Sequence, residues 1–174
     1  MKIFSYNVNG IRAALRKGLD TWFDDVRPDV LCIQETKDWP EDIDEKLFNS
    51  LGYHTYVHSA EKKGYSGVML ITRKKPDNII AGIGNTRFDS EGRYLRADFG
   101  DVTLINSYFP SGTTGTVRQD FKYEYLDLMY DHLMYLKKTR PKIIVSGDYN
   151  ICHKAIDISK PENKKNVSGF LPDE

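Results

Sequence analysis

K-I-I-V-S-G-D-Y-N-I-C-H, residues 142–153, changes character halfway along. Ile143, Ile144 and Val145 form the short apolar, β-branched run of a buried strand. Gly147, Asp148 and Asn150 are residues that a strand centre avoids. A rigid strand that ends on an acid and an amide, one residue apart, suits a layered α/β fold. In such folds ligands bind at strand ends and in the loops that follow them. Strand alternation predicts that residues 148 and 150 point the same way and that Tyr149 points into packing. Gly147 allows a tight turn there.

The same pattern recurs upstream. Lys2–Tyr6 and Asp29–Gln34 are compact apolar runs of the kind found in a sheet covered on both faces. Between them Ile11, Leu15, Trp22, Phe23 and Val26 fall at helical spacing. Gly18, which costs about 1 kcal/mol inside a helix, divides that segment into two short helices, and Pro28 ends it. Ile43, Leu47, Phe48 and Leu51 predict another helix, stopped by Gly52. Ser66–Arg73 is a strand, and Tyr94–Phe99 and Val102–Tyr108 form a hairpin around Gly100 and Asp101. Phe121 to Lys138 is the longest helix, with Tyr125, Leu128, Met129, His132, Leu133 and Leu136 inward. Lys137, Lys138 and Arg140 sit at its C-terminal end, where the macrodipole favours them. Asn163–Asn166 is a polar loop. Pro172, Asp173 and Glu174 resemble the first turn of a helix whose body is absent, as in a cut chain.

A length of 174 residues suits one well-packed domain, 1–174. Twenty-five basic residues balance twenty-five acidic ones, so no global field advertises a nucleic-acid partner. A local basic patch binds phosphate well on a neutral protein, so the balance excludes little. Cys32 and Cys152 are not arranged as CxxC and are expected to be small buried hydrophobes in a reducing compartment. No secretory h-region opens the chain and no apolar run has membrane length, so a cytoplasmic protein is expected.

Polar residues collect where predicted strands end: Asn7 and Asn9, Gln34 and Glu35, Asn106 and Tyr108, Asp148 and Asn150. Each has an ordinary reading. Asn7 and Asn9 are good turn and cap residues, Glu35 can pair with Lys37 or Arg12, and Asp148 to Asn150 can be an Asx turn. Their recurrence at one topological place favours a site. A carboxylate with amide oxygens suits Mg²⁺, which prefers one or two carboxylates and keeps its waters. A second carboxylate can orient or deprotonate water, while amide and phenol donors hold phosphate oxygens. The pattern fits phosphodiester hydrolysis. No Cys/His cluster suits zinc, and no Walker-type loop is present.

Eight motifs occur in order: N-V-N-G-I-R (7–12), Q-E-T-K (34–37), G-Y-S-G-V (64–68), E-G-R (91–93), N-S-Y-F-P (106–110), G-D-Y-N-I (147–151), H-x-x-x-D-I (153–158) and S-G-F-L-P (168–172). With them the chain resembles the exonuclease III family of apurinic/apyrimidinic endonucleases. The resemblance implies a four-layer α/β sandwich, two β-sheets flanked by helices, of which 1–174 is the N-terminal two-thirds. It implies a Mg²⁺-dependent nuclease, with Mn²⁺ as a substitute. That enzyme cuts duplex DNA 5′ to abasic sites and degrades 3′ ends. By resemblance Glu35 and Asn7 hold the metal and Tyr108 contacts the scissile phosphate or leaving oxygen. Asp148 orients or activates water, and Asn150 fixes the phosphate and Asp148. Asn9 helps through water, and Arg118 and Lys122 grip the DNA backbone, against the plain reading of a solvated helix face. Gly64 to Gly67 are assigned to turn and strand packing, and His153 and Asp157 to structural hydrogen bonding.

The family pattern continues past the last motif and includes a terminal Asp-His pair that supplies the catalytic imidazole. None of the four histidines (54, 58, 132, 153) has that context; His132 follows Asp131 but faces inward on a helix. These residues alone are therefore expected to leave an abasic duplex uncut. The partner expected is duplex DNA with abasic sites or 3′ ends, with no membrane and no obligate protein partner. Two other classes stand beside this one. One is a metal-dependent phosphoesterase of the same superfamily acting on another substrate; the other is a non-catalytic DNA-binding fragment.

Overall fold

A computed structural model describes residues 1–39, 41, 43, 45–164 and 166–174. Lys165, inside the expected polar loop 163–166, lies outside the described residues. The elements run β1 (Ile3–Asn7), α1 (Ile11–Arg16), α2 (Leu19–Val26), β2 (Val30–Gln34), α3 (Glu45–Ser50), β3 (His54–His58), β4 (Val68–Thr72), β5 (Asn78–Ala81), α4 (Thr86–Asp89), β6 (Tyr94–Phe99), β7 (Val102–Tyr108), α5 (Thr116–Leu136) and β8 (Lys142–Asp148). They form two four-stranded sheets, ordered β1-β2-β4-β3 and β5-β6-β7-β8.

The apolar runs have two sides to fill. In β2, Leu31 and Ile33 face Ile11, Phe23 and Phe48 of the helices, while Val30 and Cys32 face the second sheet. Val68 and Leu70 meet Leu95, Ala97 and Leu104 across that interior. On the far side Phe121, Tyr125, Met129 and Leu136 of α5 cover Tyr94 and Ile105. The result is helix, sheet, sheet, helix: the expected four-layer sandwich with alternate residues of each central strand in different layers. Phe23 ties the first layer together, edge-on to Phe48 at 5.1 Å and to Tyr53 at 4.6 Å.

Gly18 divides α1 from α2 as expected, in the left-handed conformation (φ 94°). The hairpin β6–β7 has the expected bounds, and Arg140, beyond the long helix, donates to Gly100 O at 2.7 Å and Thr103 Oγ1 at 2.8 Å. It thus closes the hairpin turn as well as ending the helix. Three elements carry no clear sequence signal: α4, and the edge strands β3 and β5, whose polar side lacks a second layer. The long helix starts at Thr116 instead of Phe121. Pro172 to Glu174 form a turn, Glu174 N donating to Leu171 O at 3.1 Å.

Two expectations change. The strand of the opening stretch, β8, is a sheet edge and only half-buried, with Ile144 39% exposed. β1 is likewise an edge, lies close to β8, and leaves Tyr6 exposed. Cys32 is buried, whereas Cys152 is partly exposed with Sγ 3.1 Å from Lys154 O. Among the described residues no helix is long and apolar enough to cross a membrane.

One polar side chain crosses the interior. Asn106, fully buried on β7, donates through Nδ2 to Ile33 O (3.0 Å) and Met69 O (2.9 Å) of the other sheet. Its Oδ1 accepts from buried Gln34 Nε2 at 2.7 Å. Gln34 and Asn106 therefore belong to the sheet interface and not to a solvent-facing rim. Asn106→Ala should lower unfolding free energy by about 2–3 kcal/mol in urea titrations, because buried polar partners lose their bonds. Ser5→Ala, at the margin of the same network, should cost under about 0.5 kcal/mol.

Candidate active site

The rim follows from topology. β1 runs parallel to β2 with Asn7 opposite Gln34, and β7 runs parallel to β8 with Tyr108 opposite Asp148. Two parallel pairs, packed face to face, bring four C-terminal strand ends together. There the amide of Asn7 bridges two acids: Nδ2 donates to Glu35 Oε1 at 2.8 Å and to Asp148 Oδ2 at 2.7 Å. Residues 141 apart in sequence thus meet at one nitrogen.

The turns after β1 and β8 have the same construction. Asn9 N donates to Asn7 Oδ1 at 3.1 Å, and Asn150 N donates to Asp148 Oδ1 at 2.9 Å. Asn9 (φ 48°) and Asn150 (φ 50°) are both left-handed, a conformation Asn tolerates. The Asx-turn reading therefore holds at both turns, and it places these residues beside Glu35 and Asp148 rather than away from them. Strand alternation does not apply to Asn150, because β8 ends at Asp148 and the turn brings Asn150 back. Tyr149 stacks on Phe109 (4.7 Å, 17°) yet stays 41% exposed, so its packing is one-sided.

Glu35 (φ 55°), Lys37 (φ 55°) and Ser66 (φ 48°) are left-handed as well. Such strain in non-glycine residues gathers at functional sites. A Cβ on Gly67 would lie 2.2 Å from Thr36 Oγ1, so close packing calls for glycine there, whereas Gly64 faces open space and serves the turn with its positive φ of 73°. Glu35 Oε2 pairs with Lys37 Nζ at 2.8 Å, and Lys37 also donates to Asn9 Oδ1. Arg12 pairs with Asp38 instead. Burial, which raises the Glu35 pKa, is outweighed by hydrogen bonds from Lys37, Asn7 and Tyr108, so the carboxyl titrates below its usual range.

Tyr108 faces Glu35 and Asn150, and burial first, then the charge of Glu35, pushes its phenol pKa well up. It stays protonated and serves as a hydrogen-bond donor. Its support has no signal of its own in the sequence. Arg93, almost fully buried, donates to Tyr108 O at 2.9 Å and lies over its ring at 4.8 Å. Arg93 also reaches Glu91 at 2.7 Å and Tyr65 Oη at 3.0 Å. Tyr65 therefore does more than turn a loop. E-G-R and G-Y-S-G are visible as motifs, but only the fold makes them neighbours.

Arg118 lies beside this group, donating to both oxygens of Glu91 at 2.8 and 3.0 Å, and is part-exposed. It stands near the rim with its guanidinium committed to Glu91. Lys122 departs from expectation. Its ammonium is completely buried, so it presents no surface to a DNA backbone. It donates to Asn150 O at 2.8 Å and Glu174 Oε1 at 2.5 Å. Asn150 Nδ2 donates to Phe109 O at 2.8 Å, and the Asn150 side chain also donates to the hydroxyl of Tyr108. His58 and His132 bond to Tyr94, and among the described residues no histidine bonds to Glu35, Asp148 or Asn150. Asp157 accepts from Lys154 N at 3.2 Å, a local structural bond.

The donor set suits one kind of metal ion. Among the described residues no three His, Cys, Asp or Glu side chains group as ligands. One part-exposed carboxylate, Glu35, with a cation already on it and a second carboxylate across Asn7, fits a hard ion that keeps most of its waters. Asn7 turns its nitrogen to the acids and its oxygen to Asn9 N, so it serves them as a donor.

Fold and rim together define a two-sheet α/β sandwich with acids and amides gathered at one end of both sheets. The chain belongs to the Endonuclease/Exonuclease/phosphatase family, which it matches over residues 4–173. Within that family it is 37% identical to a DNA-(apurinic or apyrimidinic site) endonuclease of Dictyostelium discoideum, covering all of this chain and 48% of that protein. It is 34% identical to an exodeoxyribonuclease of Bacillus subtilis, covering all of this chain and 68% of that one. The solved AP endonuclease of Archaeoglobus fulgidus superimposes with a TM-score of 0.86 at 30% identity, over 99% of this chain and 66% of that chain. The chain thus spans from about half to two-thirds of these proteins' lengths.

Glu91 also titrates low: burial raises its pKa, but bonds from Arg118 and Arg93 outweigh that. A carboxylate whose folded pKa is depressed contributes stability above its unfolded value, near 4.5, and loses it as pH falls through the folded value. Chemical denaturation of the parent should therefore show stability falling below about pH 4.5, and Glu91→Gln should flatten that acid limb while lowering stability at pH 7.

Proposed function

We propose that this chain carries the catalytic face of a Mg²⁺-dependent DNA-repair nuclease, with Mn²⁺ as a substitute ion. It hydrolyses the phosphodiester 5′ to an abasic site in duplex DNA and removes nucleotides from 3′ ends, acting in the cytoplasm. The observation that carries this reading is the amide of Asn7 bridging Glu35 and Asp148, with Tyr108 and Asn150 beside them.

Asp148 has one oxygen fixed by Asn7 and the other by the Asn150 amide, so its remaining lone pairs point outward in one orientation. It accepts the proton of the attacking water and aligns that water. The amide hydrogen of Asn150 that rests on Tyr108, and the phenol of Tyr108, turn to donate to phosphate oxygens as charge builds on them. Arg93 holds Tyr108 by its carbonyl and its ring. Glu35, now paired with Lys37, would hold a divalent ion, and that ion would supply charge neutralisation for the phosphate and the leaving oxygen. Arg118 would meet the DNA backbone on leaving Glu91, and Asn9, held by Lys37, would assist ion and DNA from the edge of the rim.

Expressed from its complete reading frame, the protein should nick an abasic duplex in Mg²⁺ and lose that activity on chelation. Asp148→Asn should lower kcat by about 100-fold or more. An uncut abasic duplex alongside a hydrolysed phospholipid, or equal cutting by Asp148→Asn, would overturn the reading.

A further inference from the structure

The resemblance assigns Lys122 to the DNA backbone, yet its ammonium is buried among Asn150 O, Glu174 Oε1 and, at 3.4 Å, Ser168 Oγ. Burying an ammonium requires a paired carboxylate and filled hydrogen-bond positions, and here every partner is in place. Glu174 is itself saturated. Oε1 accepts from Lys122, Gln119 Nε2 (2.9 Å) and Ser168 Oγ (3.1 Å), while Oε2 accepts from Gly169 N (2.6 Å) and Leu171 N (3.1 Å). Cys152 N donates to Gly169 O at 2.7 Å, so the same turn grips the chain just after Asn150.

We propose that Lys122 is a positioning residue for Asn150. Its ammonium, clamped by Glu174, holds the Asn150 carbonyl and so keeps that left-handed residue aimed at Asp148 and the phosphate. This rests on the nuclease reading of Asn150 given above. Asn150 is strained, sits past the last ladder bond of an edge strand, and is fixed on its other sides by Asp148 and Phe109. Its carbonyl is the one polar group of its backbone that neither strand nor turn satisfies, and Lys122 is the group that satisfies it.

The test reads the Asn150 amide directly, with hydrogen exchange followed by NMR in the full chain. In Lys122→Met, exchange at Asn150 N–H should accelerate at least about tenfold more than at Leu104 N–H in the core of β7, and Lys122→Arg should restore the difference to within about threefold. Equal acceleration at both amides would mean a merely global contribution to stability and would overturn the proposal. If Lys122→Met does not fold, Glu174→Gln is read by the same ratio: faster exchange at Asn150 alone supports the proposal, and equal acceleration overturns it. A second measurement separates positioning from phosphate gripping. The salt dependence of binding to an abasic duplex should keep its slope in Lys122→Arg and Lys122→Met, whereas loss of a phosphate contact lowers it by about one and would also overturn the proposal. If Asp148→Asn cuts DNA normally the nuclease reading fails, while the exchange ratio still decides whether Lys122 orients Asn150.

Discussion

The relative placement of two sheets is the constraint on which the site depends, and Asn106 sets it. Apolar faces slide over each other at little cost, because the hydrophobic effect has no direction. A buried amide does have direction. Asn106 finds two carbonyls and the Gln34 amide on the opposite sheet, and any shift of register would strip a buried polar group of its partners. Gln34 immediately precedes Glu35, and Asn106 lies two residues before Tyr108. The clamp that orders the interior therefore lies directly beneath the groups that would do chemistry. Asn7 then joins the outermost strands, so the sheets are locked twice at the same end.

Above this clamp the backbone is held in conformations it does not prefer. Asn9, Glu35, Lys37, Ser66 and Asn150 are all left-handed, and they all lie at strand ends that converge. Each is stabilised from outside its own segment: Asn9 by Lys37 Nζ, Glu35 O by Gly10 N, Lys37 N and Ser66 O by each other, and Asn150 by Phe109 and Lys122. Local strain of this kind persists only where tertiary contacts over-determine it. Gly147 shows the same crowding from below, since a Cβ there would lie 1.8 Å from Ser107 O. The glycine in the opening stretch is thus fixed by the neighbouring strand as much as by the turn.

What the sequence made legible was what short-range rules govern. Apolar runs gave β1, β2, β4 and the β6–β7 hairpin, and Gly18 divided the first helices. Polar residues at strand ends pointed to Asn7, Glu35, Tyr108, Asp148 and Asn150, which the fold does bring together. The edge strands β3 and β5 were not legible, because a strand with one exposed side is partly polar and lacks a strong apolar run. Lys122 could not be placed, because helical periodicity gives every lysine the solvent as its default. Only the distant Glu174 and the carbonyl of Asn150 reveal that this one is inside. Tyr65, Glu91 and Arg93 were visible as motif letters, but their joint support of Tyr108 depends on two separate loops meeting.

The site is also balanced in charge before any ion or substrate arrives. Glu35 has Lys37 on one oxygen and Asn7 on the other, Asp148 has an amide on each oxygen, and Glu91 is shared by two guanidiniums. This explains how a chain with no net charge can hold several half-buried acids at one rim without unfolding itself. It also sets what a ligand must do. A cation at Glu35 has to displace an ammonium, and a phosphate near Arg118 has to compete with Glu91. Binding both together is easier than binding either alone, since each supplies the charge that the other's displaced partner leaves uncompensated. On the nuclease reading proposed above, such a rim would favour an anionic substrate that arrives with a divalent ion, as phosphodiester DNA would.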